Sequence, residues 1–127
     1  MSKKYNVAVV GATGAVGETM LAILHQRNFP VGEVYAVASS RSAGSRVAFG
    51  DRMLVVQDLD TFDFSKVQIG LFSPGASVSK IYAPRAGEAG CVVIDNTSQF
   101  RYDDDIPLIV PEVNPGALAQ YKNRNII

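Results

Sequence analysis

Asn6-Val7-Ala8-Val9-Val10 is a short, continuous apolar run rich in β-branched residues, which predicts a strand buried on both faces. Residues 11–17 interrupt it with three glycines. Beyond them Val16, Met20, Ile23 and Leu24 recur at the i, i+4, i+7, i+8 spacing of one helix face, and Pro30 stops that helix. Val34-Tyr35-Ala36-Val37-Ala38 reads as a second buried strand. Strand, glycine turn, helix and strand in this succession make a βαβ unit.

The rest of the chain continues the alternation less regularly. Val47-Ala48-Phe49 and Met53-Leu54-Val55-Val56 flank Gly50-Asp51-Arg52 and predict a small hairpin. Gln68–Phe72 predicts a further strand, followed by a helix over 76–89 that Pro84 should kink or divide. Val92-Val93-Ile94 predicts a strand ending at Asp95, and Leu108-Ile109-Val110 a short extended piece between prolines. Asn114 is the expected N-cap of a short helix with Pro115 at its first position. Asn125-Ile126-Ile127 looks like the first step of another buried strand. The predicted fold class is α/β: a Rossmann-like, doubly wound, mostly parallel sheet with helices on both faces. No internal repeat or low-complexity linker interrupts it, so residues 1–127 read as one domain.

Composition narrows the function classes. The 127 residues are 47% hydrophobic and 19% charged, a balance that fits a globular fold and disfavours disorder. Twelve basic and twelve acidic residues cancel, so the basic excess of a phosphate-neutralising nucleic-acid binder is missing, as is a polybasic membrane anchor. One cysteine and one histidine exclude an internal disulfide and argue against a zinc site, and no metal is expected. No stretch approaches the roughly 18 apolar residues of a membrane span. A cytoplasmic location is the expectation.

Gly11-Ala12-Thr13-Gly14-Ala15-Val16-Gly17 carries the first specific chemistry. In a strand–turn–helix context, Gly11 permits the tight turn, Gly14 lets a pyrophosphate approach the backbone, and Gly17 lets helix and strand pack closely. The helix start supplies unpaired N–H groups and partial positive charge. Where NAD sites commonly carry an acid, about 20 residues beyond the turn, this chain has Ser39-Ser40-Arg41-Ser42. Hydroxyls and a guanidinium suit a 2′-phosphate, so the expected cofactor is NADP, with Arg41 as the main contact.

Two later strand ends, Ser73-Pro74-Gly75-Ala76-Ser77 and Asp95-Asn96-Thr97-Ser98, extend one expected crevice at the carboxyl ends of the strands. The candidate cofactor contacts are thus Gly11, Thr13, Gly14, Ala15, Val16, Gly17, Ser39, Ser40, Arg41, Ser42, Ser73, Gly75, Ala76 and Asn96. His25 reads as a helix-end cation, Cys91 as a small buried hydrophobe and Asp103-Asp104-Asp105 as a solvated turn.

Five motifs then occur in order: Gly-Ala-Thr-Gly-Ala-Val-Gly at 11–17, Ser-Arg-Ser-Ala-Gly at 40–44, Ser-Pro-Gly-Ala-Ser at 73–77, Asp-Asn-Thr-Ser-Gln-Phe-Arg at 95–101 and Val-Pro-Glu-Val-Asn-Pro at 110–115. Together they closely resemble the N-terminal, NADP-binding portion of the bacterial aspartate-β-semialdehyde dehydrogenases. N-acetyl-γ-glutamyl-phosphate reductases share the glycine turn and a segment like 95–101, but the stretches at 40–44 and 107–115 favour the former. A non-enzymatic, nucleotide-sensing Rossmann module is the alternative of another class.

The resemblance implies interconversion of L-aspartate 4-semialdehyde and 4-phospho-L-aspartate with NADP and inorganic phosphate, on the route to lysine, methionine and threonine. A cysteine thiolate attacks the aldehyde, hydride passes to the nicotinamide, and phosphate cleaves the thioester. By match to the motif, Arg101 would bind the phosphate group, with Asn96 and Ser98 close by. The resemblance also implies a homodimer for the full-length enzyme. The family's nucleophile lies in an Asn-Pro-Asn-Cys context after a segment like 125–127, so this chain is expected to lack the catalytic cysteine, the acid/base histidine and the second, dimer-forming domain. No catalytic residue is expected within it.

Overall fold

The computed structural model describes residues 4–127. Its centre is β1 (Tyr5–Val10), whose Val7, Ala8, Val9 and Val10 are fully buried. Alternate side chains feed two different cores, as a strand's period of two requires. Ala8 and Val10 join Val37, Phe72, Ala83, Ala86 and Val93 on one face, and Val9 joins Leu21, Val34, Ala36 and Phe49 on the other.

The elements follow as α1 (Ala15–Gln26), β2 (Val31–Ala38), β3 (Arg46–Phe49), β4 (Arg52–Val55), β5 (Gln57–Asp58), β6 (Ile69–Phe72), α2 (Ala76–Glu88) and β7 (Val92–Asp95). A five-stranded parallel sheet runs β5-β2-β1-β6-β7, while β3 and β4 pair as a separate antiparallel ribbon. Residues 125–127 extend the sheet beside β7: Val93 N–H donates to the Asn125 carbonyl at 2.7 Å and Ile127 N–H to the Val93 carbonyl at 2.8 Å. Strand order reverses between β1 and β6, where the chain leaves one side of the sheet and restarts on the other. That reversal is the topological switch point of a doubly wound sheet.

The α1 face differs from the expected one. Gly17 and Leu21 are buried with Met20 and Leu24 packed beside them, whereas Val16 and Ile23 are 47% and 45% exposed. The stripe 17, 20, 21, 24 points at the sheet because a glycine, not a valine, sits where the helix meets the turn. Helix α2 buries Ser79, Ala83, Ala86 and Gly87, all small, so it lies close against β6 and β7. It runs through Pro84 undivided. The carbonyl that loses its donor belongs to Lys80, an exposed residue, so water can replace the missing bond.

The hairpin forms as expected, with Gly50 at φ +61° in its turn. It covers the α1 face of the sheet through Val47 and Phe49, in the place a crossover helix would take. The two-residue β5 and a 3₁₀ turn at Phe64–Lys66, capped by the Asp63 carboxylate, were not legible beforehand. Residues 107–110 form no strand or helix. Asn114 does not cap with its side chain. Its amide instead receives Val110 N–H and donates to the Leu108 carbonyl, both at 2.8 Å, and the helix that follows, Pro115–Asn123, is 3₁₀.

Candidate functional site

The glycine turn is stitched to the sheet by its first two amides: Gly11 and Ala12 N–H both donate to the Val37 carbonyl, at 2.9 and 3.3 Å. Gly11 has φ +86°, and a Cβ there would lie 2.7 Å from the Ser73 carbonyl oxygen. A Cβ on Gly17 would lie 2.2 Å from the Gly11 carbonyl oxygen. Both positions exclude side chains for reasons of fold. Gly14 is different. It is the N-cap of α1 at φ −83° and ψ 167°, which any residue adopts, and a Cβ there would meet only the Gly11 oxygen, at an ordinary 3.5 Å. Neither conformation nor packing requires glycine at 14, which leaves an open approach to the backbone beside the free amides of the first helical turn.

That approach opens into a cleft of about 310 Å³. Gly11, Thr13 and Gly14 form its floor, Ser39 and Ser73 lie at either side, and Leu59, Pro74 and Val78 form apolar walls. No acidic side chain lines it. The sheet order puts the ends of β2, β1 and β6 side by side, and Ser73 N–H continues the pairing to the Val10 carbonyl at 2.9 Å. Leu59 and Val78 carry no signal in the sequence: Leu59 follows a strand of only two residues, and Val78 reaches the cleft only once α2 is placed. The Tyr82 hydroxyl donates to Asp60, which fastens the Leu59 wall to α2 and raises the Tyr82 pKa.

The Ser39 carbonyl accepts Ser42 and Ala43 N–H at 2.9 and 3.1 Å, folding 39–43 into a turn at the rim. Ser40 and Arg41 are exposed there, and Arg41 makes no ion pair among the described residues. Gly75, at φ +96°, caps α2 and turns the chain from the Ser73 end into Ala76. Ala15 and Val16 are exposed at the start of α1.

The fourth strand end adjoins the third, with Phe72 paired to Asp95 and Asn96 N–H donating to the Phe72 carbonyl at 2.8 Å. Asn96 lines an apolar groove of about 430 Å³ with Met20, Ile94, Leu108 and Leu118. Arg101, exposed, borders a separate small cleft with Asp95, Thr97 and Phe100. Ser98 is exposed, and its carbonyl accepts Arg101 N–H at 3.3 Å. Cys91 has no exposed surface, and burial pushes its thiol up to about 12. His25 packs edge-on against Phe49 at 5.6 Å. The acidic turn is exposed, with Arg124 reaching Asp103 and Asp105 at 3.7 and 3.9 Å. Among the described residues, no helix is long and apolar enough to cross a membrane.

A doubly wound sheet with a glycine turn at its switch point defines a Rossmann-like domain of the nicotinamide-nucleotide type. Residues 6–121 match the family described as semialdehyde dehydrogenase, NAD binding domain, and the chain belongs to that family. It is 59% identical over all 127 residues to the aspartate-semialdehyde dehydrogenase of Shewanella violacea, of which it spans 38%. Aspartate semialdehyde dehydrogenase II of Vibrio cholerae, crystallised with ASA, superposes with a TM-score of 0.95 at 58% identity, covering 98% of this chain and 41% of that one. The Candida albicans aspartate semialdehyde dehydrogenase, solved with NADP, superposes at 0.81 with 27% identity, covering 92% and 36%. The chain thus spans less than half the length of the curated relatives it matches.

Proposed function

We propose that residues 1–127 form the coenzyme-binding domain of a phosphorylating, NADP-dependent aspartate-semialdehyde dehydrogenase, a cytoplasmic enzyme that acts as a homodimer in its full length. The observation that carries the reading is the Gly14 cradle: a glycine that packing does not need, at the mouth of a cleft whose amides are free. Bound NADP supplies the hydride acceptor. The chain's own residues hold it. The amides of Ala15, Val16 and Gly17 face the pyrophosphate with Thr13 beside them, while Leu59, Pro74 and Val78 exclude water from the adenosine end.

Ser39, Ser40, Arg41 and Ser42 receive the 2′-phosphate, and the absence of an acidic lining in the cleft favours it over a bare ribose. A relative solved with NADP supports that choice. Ser73, Gly75 and Ala76 border the nicotinamide side, with Asn96 nearer the reacting carbon. Arg101 offers its guanidinium fork to inorganic phosphate or to the phosphoryl group of the acyl phosphate, with Ser98 in the same turn.

These 127 residues hold a single thiol, and it is buried and protonated, so the domain alone binds without turning over. Fluorescence titration with NADPH and NADH tests the reading directly. Preference for NADPH is expected. Equal affinities would remove the Arg41 assignment, no binding of either would remove the coenzyme reading, and phosphate-dependent turnover by the 127 residues would remove the claim of inactivity.

A further inference from the structure

Among the described residues, Ser79 is the one polar side chain in the fully buried set. It lies on the face of α2 that packs on the sheet, a position its neighbours fill with alanine and glycine. Its hydroxyl donates to Asp95 Oδ1 at 3.2 Å. The same oxygen accepts Thr97 N–H at 2.9 Å, closing an Asx turn at the end of β7. Thr97 passes the order on, its Oγ1 accepting Gln99 N–H at 3.3 Å. Around Asp95 the backbone is held as well: Asp95 N–H donates to the Ile127 carbonyl at 3.0 Å and Asn96 N–H to the Phe72 carbonyl at 2.8 Å. Ser79 and Thr97 thus meet at one carboxylate oxygen, while Ile127 and Phe72 hold the backbone beside it. Its second oxygen, Oδ2, is buried and has no partner among the described residues.

We propose that Asp95 is a positioning residue which, by bridging Ser79 of α2 and the Thr97 amide through one oxygen, fixes the turn 96–101 and with it the direction of Arg101. The inference rests on Arg101 as the phosphate ligand. Both bonds end on Oδ1, so the bridge is assigned to the position of that acceptor rather than to the carboxylate's charge. An asparagine keeps that acceptor in place, and an alanine leaves Ser79 buried without a partner and the Thr97 amide without its acceptor.

The test titrates the 127-residue chain with inorganic phosphate and follows the Arg101 side-chain N–H resonance by NMR. Asp95→Ala is expected to weaken phosphate about tenfold, as loss of two ordinary hydrogen bonds allows. Ser79→Ala, the milder change, is expected to weaken it less, and the double variant no more than Asp95→Ala alone, because both act through one contact. Asp95→Asn is expected to restore most of the affinity, and Thr97 amide exchange is expected to quicken in Asp95→Ala but not in Asp95→Asn.

Asp95→Asn as weak as Asp95→Ala would overturn the proposal in favour of a charge effect. So would a lowered melting temperature with unchanged phosphate affinity, which marks a purely structural bond. A wild-type chain indifferent to phosphate, or Arg101→Ala binding it unchanged, fails the Arg101 reading itself. Thr97 exchange still reports the Asp95 bridge in that case, so the two failures are told apart.

Discussion

Replacing Gly14 and Gly17 one at a time by alanine separates a glycine kept for a ligand from one kept for the fold. At 17 the added methyl carbon would sit 2.2 Å from the Gly11 carbonyl oxygen, so turn and helix must part. Overpacking of this kind costs about 1–3 kcal/mol, or roughly 4–12 °C of melting temperature for a domain of this size. At 14 the methyl meets only an ordinary 3.5 Å contact at a permitted φ of −83°. The gain of about 0.4–1 kcal/mol from a stiffer unfolded chain is offset by alanine's poorer capping, so stability stays within about 1 kcal/mol.

The methyl on residue 14 nevertheless occupies the approach to the helix amides. Loss of one charge-assisted hydrogen bond to the pyrophosphate is worth about 1.5–3 kcal/mol, which is about ten- to a hundredfold in NADPH affinity. Thermal melts and NADPH titration of the two variants read both quantities. Unchanged NADPH binding in Gly14→Ala refutes the placement of the pyrophosphate. A melting loss at 14 as large as that at 17 refutes the claim that packing leaves position 14 free.

Arg41→Ala is expected to lower NADPH affinity about tenfold while leaving NADH unchanged, since the 2′-phosphate alone distinguishes them; an equal loss for both would place Arg41 elsewhere. Gly87→Ala would set a Cβ 2.5 Å from the Arg124 carbonyl oxygen, and hydrogen exchange should report faster opening of the Val93 and Ile127 amides. Cys91 should resist thiol reagents at neutral pH except at the rate of unfolding. Because its thiol pKa is raised in the fold from 9.0 to about 12, its contribution to stability is complete below pH 9 and is lost as pH rises from 9 towards 12. Denaturant midpoints across that range check the sign, with Cys91→Ala as the flat reference.

What the chain spelled out in advance was the part whose side chains answer to a single period. The run 7–10, the glycine turn and the return at 34–38 each follow from local pattern, and the bridge at Ile126 follows from its apolar neighbours. On α1, Met20 and Leu24 pack inward as their spacing predicts, but Val16 looks like core by hydrophobicity while the contact belongs to Gly17, whose absent side chain no scale rewards. Pro84 leaves α2 undivided because the cost of a missing N–H depends on whether water reaches the bereft carbonyl, which the sequence does not encode locally. Asn114 has the residue type of a cap but spends its amide on residues 108 and 110. Which side chains line the groove at Asn96 likewise depends on where the 107–118 segment comes to rest, a tertiary matter.

The order in which strands enter the sheet has a consequence for biosynthesis. β1 needs only β2 and β6 to be paired on both edges, so the centre of the sheet is complete once the chain reaches Phe72. The ribbon of β3 and β4 forms from near neighbours and can wait beside α1 on the microsecond scale of hairpins. The turn that carries Arg101 is different, because Asp95 at its start donates its backbone N–H to the Ile127 carbonyl. A chain emerging from the ribosome has therefore released every strand that flanks the glycine turn well before the turn at 96–101 can gain its last backbone partner.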